Sequence, residues 1–299
     1  MNLFSIFNLI LFTFTSLFKL EDIKRIKPVV IWHGLGDNYN SSGIHRVSEI
    51  INEIYPNTFI YSIYLDEDPS TDEQNSYFGD ANIQISQICA QLSNITELFH
   101  GFNIIGFSQG GVLSRGLIER CSGLVVENFV SFGSPHLGVL EVSICESNDW
   151  ICRRRNQLLK RQIWNDNIQK HLIPAQYFRD HEKVEYAKYL KYSNLLADIN
   201  NERKFKNKTY VENMKKLNKL ILVNFLKDTT VIPKESSMFY DYDKEKDIVI
   251  PMIETEIYQK NYIGLKDLNE EGKIVFLNID EAHMRISDQF IRELFINFF

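Results

Sequence analysis

The chain has 299 residues, of which 44% are hydrophobic, so it can bury the core of one large α/β domain, with or without an inserted lobe. Its net charge is −6, from 39 acidic and 33 basic side chains. This balance excludes a strongly basic chain of the kind that binds nucleic acids.

The first 18 residues contain no charged side chain and are mostly apolar. This length is typical of a secretory signal peptide, although no early Lys or Arg and no clear cleavage site are present, so a retained membrane anchor is the alternative. We therefore predict a signal peptide at 1–18 and a folded domain at 19–299. The mature chain is expected to begin between about residues 17 and 28.

Three glycosylation sequons and four cysteines agree with an exported chain. The sequons lie at Asn40, Asn94 and Asn207, which we expect to carry glycans. An even number of cysteines permits two disulfides in an oxidising compartment, whereas four reduced core thiols are the alternative. The cysteines are Cys89, Cys121, Cys145 and Cys152.

Residues 28–37 are predicted to be a strand that runs into a His-Gly-x-Gly loop. In an α/β-hydrolase, the loop after an early strand supplies one backbone amide of the oxyanion hole. The glycines allow the backbone to approach a substrate closely. We assign this amide to Leu35, with a plain strand-ending turn as the alternative.

The next segment is predicted to contain a strand, a loop and a helix. Residues 59–65 are predicted to form a strand, and the acidic residues 66–73 a solvated loop rather than a metal site. Apolar side chains at helical spacing predict an amphipathic helix over residues 79–99.

A Gly-x-Ser-x-Gly motif ends the apolar run 102–107 and precedes a helical pattern. This strand–turn–helix context is typical of a nucleophile elbow, with Ser108 as the nucleophile. Gly106 and Gly110 lie two residues to either side, where a Cβ would collide with neighbouring backbone. The Gln109 amide is assigned as the second oxyanion donor.

Residues 129–133 are predicted to be a further strand, and alternating strands and helices indicate a parallel sheet. Residues from about 139 to 217 do not show this alternation of strands and helices. We predict a mainly helical insertion there that forms a lid or acyl-binding lobe, with a long solvated connection as the alternative. Its apolar side chains include Ile163, Trp164, Leu172, Ile173, Tyr177, Phe178, Leu195 and Leu196.

The acid and base of a catalytic triad are sought after the insertion. Asp228 follows the predicted strand 220–226, as the triad acid of an α/β-hydrolase does. His283 is the only histidine after Asp228, so the order Ser–acid–His leaves it as the only base. Asp280 and Glu281 are alternative acids.

Several longer stretches carry a specific resemblance. After the leader, nearly the whole chain resembles the palmitoyl-protein thioesterase family, whose members remove fatty acyl groups from proteins in the lysosome. The matching stretches are residues 30–37, 106–111, 196–203, 223–228 and 262–266.

The resemblance implies an α/β-hydrolase fold, with a mostly parallel central sheet flanked by helices and a mainly helical, lipid-binding inserted lobe. It implies the triad Ser108, Asp228 and His283, whose mechanism needs no metal or organic cofactor. It also implies the bridges Cys89–Cys121 and Cys145–Cys152.

The chain departs from this family at two places. Asn38 and Tyr39 replace the family's usual cysteine pair, so a third bridge is absent. Residues 134–138, Ser-Pro-His-Leu-Gly, are more similar to the corresponding loop of triacylglycerol lipases.

The expected function is hydrolysis of long-chain acyl thioesters, with S-palmitoylated proteins or peptides as substrates. The alternatives are a lipase or carboxylesterase on the same scaffold and a non-catalytic lipid-binding protein. We expect a monomer of the secretory pathway and lysosome, with secretion as a further destination, no stable membrane span and no nucleic-acid partner.

Overall fold

The computed structural model describes residues 26–141, 154, 160–243 and 246–299. The predicted signal peptide at 1–18 and both cysteines of the predicted Cys145–Cys152 bridge lie outside these residues.

A parallel six-stranded sheet forms the centre of the described chain, in the order β2–β1–β3–β4–β5–β8. Its inner strands are apolar on both faces because helices cover both faces. The sheet strands are β1 (Val29–Trp32), β2 (Ile60–Ser62), β3 (Phe102–Phe107), β4 (Val126–Phe132), β5 (Lys219–Phe225) and β8 (Ile274–Ile279), and a separate antiparallel pair is formed by β6 (Asp241–Asp243) and β7 (Ile248–Ile250).

Helices pack on both faces of the sheet, and alternate side chains of each strand serve the two faces. In β1, Val29 and Ile31 join the core under α1 and α12, whereas Val30 and Trp32 join the core under α3, α4 and the inserted helices. The helices are α1 (Ser42–Ile54), α2 (Pro69–Tyr77), α3 (Ala81–Leu92), α4 (Gln109–Arg120), α5 (Asp166–His171), α6 (Ile173–Gln176), α7 (Lys183–Tyr192), α8 (Leu196–Ile199), α9 (Lys208–Met214), α10 (Glu256–Gln259), α11 (Leu265–Glu270) and α12 (Asp288–Phe298). Single 3₁₀ turns occupy Thr96–Leu98, Lys234–Met238 and Met252–Glu254.

The predicted α/β-hydrolase architecture is confirmed by this parallel sheet and its flanking helices. β1 pairs with β2 on one side and with β3 on the other, so the order of the strands reverses at β1. The loops that follow β1 and β3 therefore diverge and leave a crevice at the carboxyl ends of these two strands.

The segment between β4 and β5 contains α5 to α9, so its described part is helical. Its apolar side chains mostly pack into buried cores of the domain and of the segment itself. Those that are fully or almost fully buried are Ile163, Ile173, Tyr177, Phe178, Leu195 and Leu196.

A disulfide joins α3 to the end of α4. Cys89 lies in α3, Cys121 is the residue that ends α4, and their Cα atoms are 6.0 Å apart. The bridge fixes the helix that precedes the nucleophile strand to the helix that follows it.

Two local predictions were wrong. The acidic residues 66–73 do not form a solvated loop, because α2 begins at Pro69 behind an Asp68 cap and Asp72 is fully buried. The predicted helix over residues 79–99 is shorter: α3 ends at Leu92, and a separate 3₁₀ turn follows.

Candidate active site

Ser108 lies at the sharp turn between β3 and α4. Its φ is 51° and its ψ is −121°, a conformation that costs energy for a residue with a Cβ and is typical of functional sites. Gly106 and Gly110 permit the turn. A Cβ on Gly106 would collide with the backbone of Gly111, and a Cβ on Gly110 would collide with the carbonyl oxygens at the end of β1.

His283 lies between Ser108 and Asp228. Its Nε2 atom is 3.0 Å from Ser108 Oγ, and its Nδ1 atom is 2.6 Å from Asp228 Oδ2. A proton on Nδ1 donates to the carboxylate and leaves the Nε2 lone pair facing the serine hydroxyl. The edge of the imidazole ring packs against Phe225, with the ring centroids 5.9 Å apart.

Asp228 is held in place by the turn that follows β5. Its side chain is 1% exposed, and its Oδ1 atom accepts hydrogen bonds from the amides of Thr230, at 2.7 Å, and Val231, at 3.0 Å. Oδ2 is thus left to face His283. Both carboxylate oxygens are engaged, so the imidazole meets a fixed acceptor.

The two alternative acids, Asp280 and Glu281, make different contacts. The Asp280 side chain is 74% exposed and forms an ion pair with Lys227 at 3.2 Å. The Glu281 backbone oxygen accepts from the Lys227 amide. Of the three candidate acids, Asp228 is the one that contacts His283.

The two residues assigned to the oxyanion hole flank Ser108. Leu35 lines the same cavity as Ser108, and its loop passes so close that a Cβ on Gly34 would lie 3.3 Å from Ser108 Cβ. Gln109 is the first residue of α4, where backbone N–H groups have no acceptor inside the helix. An oxyanion bonded to Ser108 would therefore lie near a helix N-terminus, which favours negative charge.

A cavity of about 410 Å³ opens at Ser108 and His283. This volume falls within the range of small-molecule sites in proteins. Its walls are largely apolar, but Arg46 and Asp288, an ion pair with Nε and Oδ2 3.1 Å apart, also line it. Apolar lining comes from Ile44, Val47 and Ile291 on the side of α1 and α12 and from Val139, Tyr177 and Val231 on the other side. Of the eight apolar insertion residues named from the sequence, Tyr177 is the one that lines the cavity.

Residues 134–138, which are similar to the corresponding loop of triacylglycerol lipases, have a mainly structural role. Pro135 lines the cavity, but His136 is fully buried, and its Nε2 atom lies 2.8 Å from Ser131 Oγ. Burial, aided by the charge of Arg115, holds the pKa of His136 well below its ordinary value. A neutral, buried imidazole at this point has no contact with Ser108.

A buried His–Asp pair beside the site was not identified from the sequence. His33 Nε2 lies 3.1 Å from Asp72 Oδ2, and the two side chains are 3% and 0% exposed. The signal for α2 was present, because Pro69 directly follows the capping residue Asp68. The pairing itself joins residues far apart in sequence, so no local pattern indicates it.

Two features are absent from the described residues. No group of three or more His, Cys, Asp or Glu side chains is arranged to hold a metal ion among them. None of the described helices has the length and apolar character needed to cross a bilayer.

Comparison with known proteins gives a consistent result. The palmitoyl protein thioesterase family matches residues 28–283. Palmitoyl-protein thioesterase 1 of Caenorhabditis elegans is 36% identical over 261 residues, which cover 87% of each chain. The lysosomal thioesterase PPT2 homolog of Drosophila melanogaster is 30% identical over 264 residues, covering 86% of this chain and 85% of that protein. Among solved structures, Est1E from Butyrivibrio proteoclasticus covers 92% of this chain and 89% of its own, with 10% identity and a TM-score of 0.44. The match to the family and the identity with its members show that the chain belongs to the palmitoyl protein thioesterase family.

Proposed function

We propose that this protein hydrolyses long-chain acyl thioesters, palmitoyl-cysteine among them, with Ser108 as nucleophile, His283 as base and Asp228 as the acid that orients the base. The observation that carries the proposal is the continuous set of contacts Ser108–His283–Asp228, at 3.0 Å and 2.6 Å. Membership of a thioesterase family supports the choice of a thioester as substrate.

The reaction follows from these contacts. As Ser108 Oγ attacks the thioester carbonyl, its proton passes to His283 Nε2, and Asp228 stabilises the resulting imidazolium. The negative charge that forms on the carbonyl oxygen is held by the amides of Leu35 and Gln109. His283 then returns the proton to the leaving thiolate. Water, activated by the same imidazole, hydrolyses the acyl-serine and releases the fatty acid.

The apolar cavity supports a long acyl chain. Each buried methylene contributes about 0.8 kcal/mol, so even partial burial of a palmitoyl chain gives several kcal/mol of binding energy. Binding energy from the remote chain can be used to place the carbonyl against Ser108. Val139, Glu141 and Tyr177 are the residues of the insertion that line this cavity with Ser108, and the two apolar ones support the insertion at about 139–217 as a lobe over the acyl chain.

The test compares three substrates on purified protein: palmitoyl thioester, the matched oxygen ester and a triglyceride emulsion. We expect the highest kcat/KM for the palmitoyl thioester and no turnover by Ser108→Ala. A higher rate on triglyceride would assign the protein to the lipases. No hydrolysis of any of the three, together with no labelling of Ser108 by a fluorophosphonate, would leave a non-catalytic lipid-binding protein.

The proposal includes a cellular setting: a glycosylated monomer of the secretory pathway that acts in the lysosome. One relative is named a lysosomal thioesterase, and the asparagines of the three sequons, Asn40, Asn94 and Asn207, are all exposed. Secretion, cleavage of the leader at 1–18 and the second bridge, Cys145–Cys152, belong to the same proposal. Glycosidase treatment, N-terminal sequencing and non-reducing peptide mapping of protein from its natural host would test them.

A further inference from the structure

The imidazole ring of His33 contacts the backbone that carries a proposed oxyanion donor. His33 Nδ1 lies 3.0 Å from the carbonyl oxygen of Gly34. A carbonyl oxygen only accepts, so this contact requires a proton on Nδ1; a carboxylate beside Nε2 requires a proton there as well, so the two contacts together fit the doubly protonated ring. That carbonyl belongs to the same peptide unit as the Leu35 N–H. Because a peptide unit is planar and trans, its C=O and N–H point in opposite directions, and fixing one fixes the other.

Asp72 holds the other side of the His33 ring. Its Oδ2 atom lies 3.1 Å from His33 Nε2, in a site where the Asp72 side chain is 0% exposed. The carboxylate also accepts from the amides of Leu65, at 2.7 Å, and Tyr39, at 3.0 Å. Burial alone would raise the pKa of Asp72, but His33 and these amides lower it below its ordinary value. The carboxylate thus has a fixed position from which to orient the ring.

The helix that carries Asp72 is bonded to both proposed oxyanion segments. Ser76, also in α2, accepts a hydrogen bond from the Gly36 amide through its Oγ atom at 2.8 Å. Its backbone oxygen accepts from Gln109 Nε2, also at 2.8 Å. Helix α2 is therefore a common support for the loop after β1 and for the first residue of α4.

We propose that His33, held by Asp72, is a positioning residue that orients the Gly34–Leu35 peptide so that the Leu35 amide faces the oxyanion. The proposal rests on the proposed function, since it assumes that Ser108 generates an oxyanion beside Leu35. It adds a buried His–Asp pair that acts on the backbone donor and touches neither substrate nor nucleophile.

Two substitutions of His33 separate its proposed role from simple packing. His33→Phe keeps a ring in the buried space but removes both nitrogens. His33→Asn keeps an N–H donor bonded to Cγ, as Nδ1 is, so it can still reach the Gly34 carbonyl. Loss of one oxyanion donor lowers kcat by roughly 10²–10³-fold, and misorientation should cost somewhat less. We expect His33→Phe to lower kcat by about 10- to 100-fold with KM within about 3-fold, and His33→Asn to recover to within about 5-fold of wild type.

The measurement is kcat and KM on a palmitoyl thioester, per active site titrated with a fluorophosphonate, so that misfolded protein is not counted. Asp72→Asn should behave as a weaker form of His33→Phe. His136→Phe is the matched control, because it removes another buried imidazole that does not contact the oxyanion loop; its kcat per titrated site should stay within about 3-fold of wild type.

The outcomes separate the two proposals. If His33→Phe keeps its kcat, or if His33→Asn is as slow as His33→Phe, the positioning role is wrong while the thioesterase assignment stands. If wild type hydrolyses no thioester, or if Ser108→Ala retains its activity, the assignment falls and the positioning role falls with it.

Discussion

At the scale of single residues, the site distinguishes Asp228 from Asp280, two of the three carboxylates that the sequence offered as the acid. Asp228 is buried, receives two backbone amides and faces His283, whereas Asp280 is exposed and paired with Lys227. An amide at position 228 would keep the shape of the acid but favour the wrong imidazole tautomer. We expect Asp228→Asn to lower kcat by roughly 10⁴-fold with the fold retained.

Asp280→Asn is the matched control for this prediction, and its kcat should stay within about 2-fold of wild type, as for a surface substitution. Both variants are assayed on a palmitoyl thioester, with circular dichroism to check folding. A slow Asp280→Asn beside a fast Asp228→Asn would transfer the role of the acid to Asp280.

At the scale of elements, helix α1 forms part of the cavity wall. A substitution in this helix can therefore reduce the space that the cavity offers to a long acyl chain. Gly43 lies near the start of α1, is exposed and lines the cavity. Outside its own helix backbone, the nearest atom to a Cβ there would be Ser41 Oγ, at 3.9 Å, so a side chain can begin at this residue without a clash. A phenyl ring on this residue should obstruct the rim that a long acyl chain passes.

We expect Gly43→Phe to lower kcat/KM for a palmitoyl thioester by about 10-fold, the cost of roughly two methylenes left unburied, and to change a butyryl thioester by less than about 2-fold. Gly123→Phe is the control, since a Cβ on Gly123 meets no heavy atom within 4 Å and the residue does not line the cavity. Equal losses on both chain lengths would contradict a role of α1 in acyl binding.

The same scale shows which elements the sequence could predict. β3, β4 and β5 are largely apolar; Ser108 and Gly133 directly follow β3 and β4, and Lys227 lies two residues beyond β5, so pattern alone predicts these strands. Helix α2 escaped prediction because seven of its nine residues are polar and the acidic run before it resembles a solvated loop. Its one deeply buried acid, Asp72, is buried through contacts that only the tertiary structure brings together.

At the scale of the whole molecule, the three residues of the proposed triad could be selected from the sequence because chain order and strand ends leave very few candidates. The residues that line the cavity could not be predicted from the sequence. The sequence placed the acyl-binding surface on eight apolar residues of the insertion, yet most of the described ones pack inward, and α1 and α12 supply much of the lining. Apolar composition indicates burial, but it does not distinguish a core from the wall of a cavity.

A buried ion pair in the middle of the domain links these parts and should make stability depend on pH. Arg115 and Glu119 of α4 are both 0% exposed, with Nη1 and Oε1 2.9 Å apart. Arg115 also donates to the backbone oxygens of Ile199 in α8 and of His136 after β4. The pair therefore joins the nucleophile helix to the inserted segment and to the sheet.

Burial raises the pKa of Glu119 from 4.5 to about 7, against the opposing effect of Arg115. Below pH 4.5 the Glu119 carboxyl is protonated in both the folded and the unfolded protein. Between pH 4.5 and 7 this carboxyl ionises in the unfolded protein but not yet in the folded one. The contribution of Glu119 to the free energy of unfolding therefore declines as pH rises. Burial of His136 acts in the opposite direction, because its depressed pKa costs stability as pH falls below 6.5.

Comparison of wild type with Glu119→Gln isolates the effect of the glutamate from that of His136. The unfolding free energy of wild type minus that of Glu119→Gln should fall by up to about 1.4 kcal/mol per pH unit across this window. Urea unfolding of both proteins from pH 4.5 to 7.5 measures this difference in unfolding free energy. Parallel pH profiles of the two proteins would contradict the prediction, because they would mean that Glu119 titrates in the folded protein as it does in the unfolded chain. A decline would mean that the protonated Glu119 side chain, buried beside Arg115, favours the fold in acidic surroundings, such as those of a lysosome.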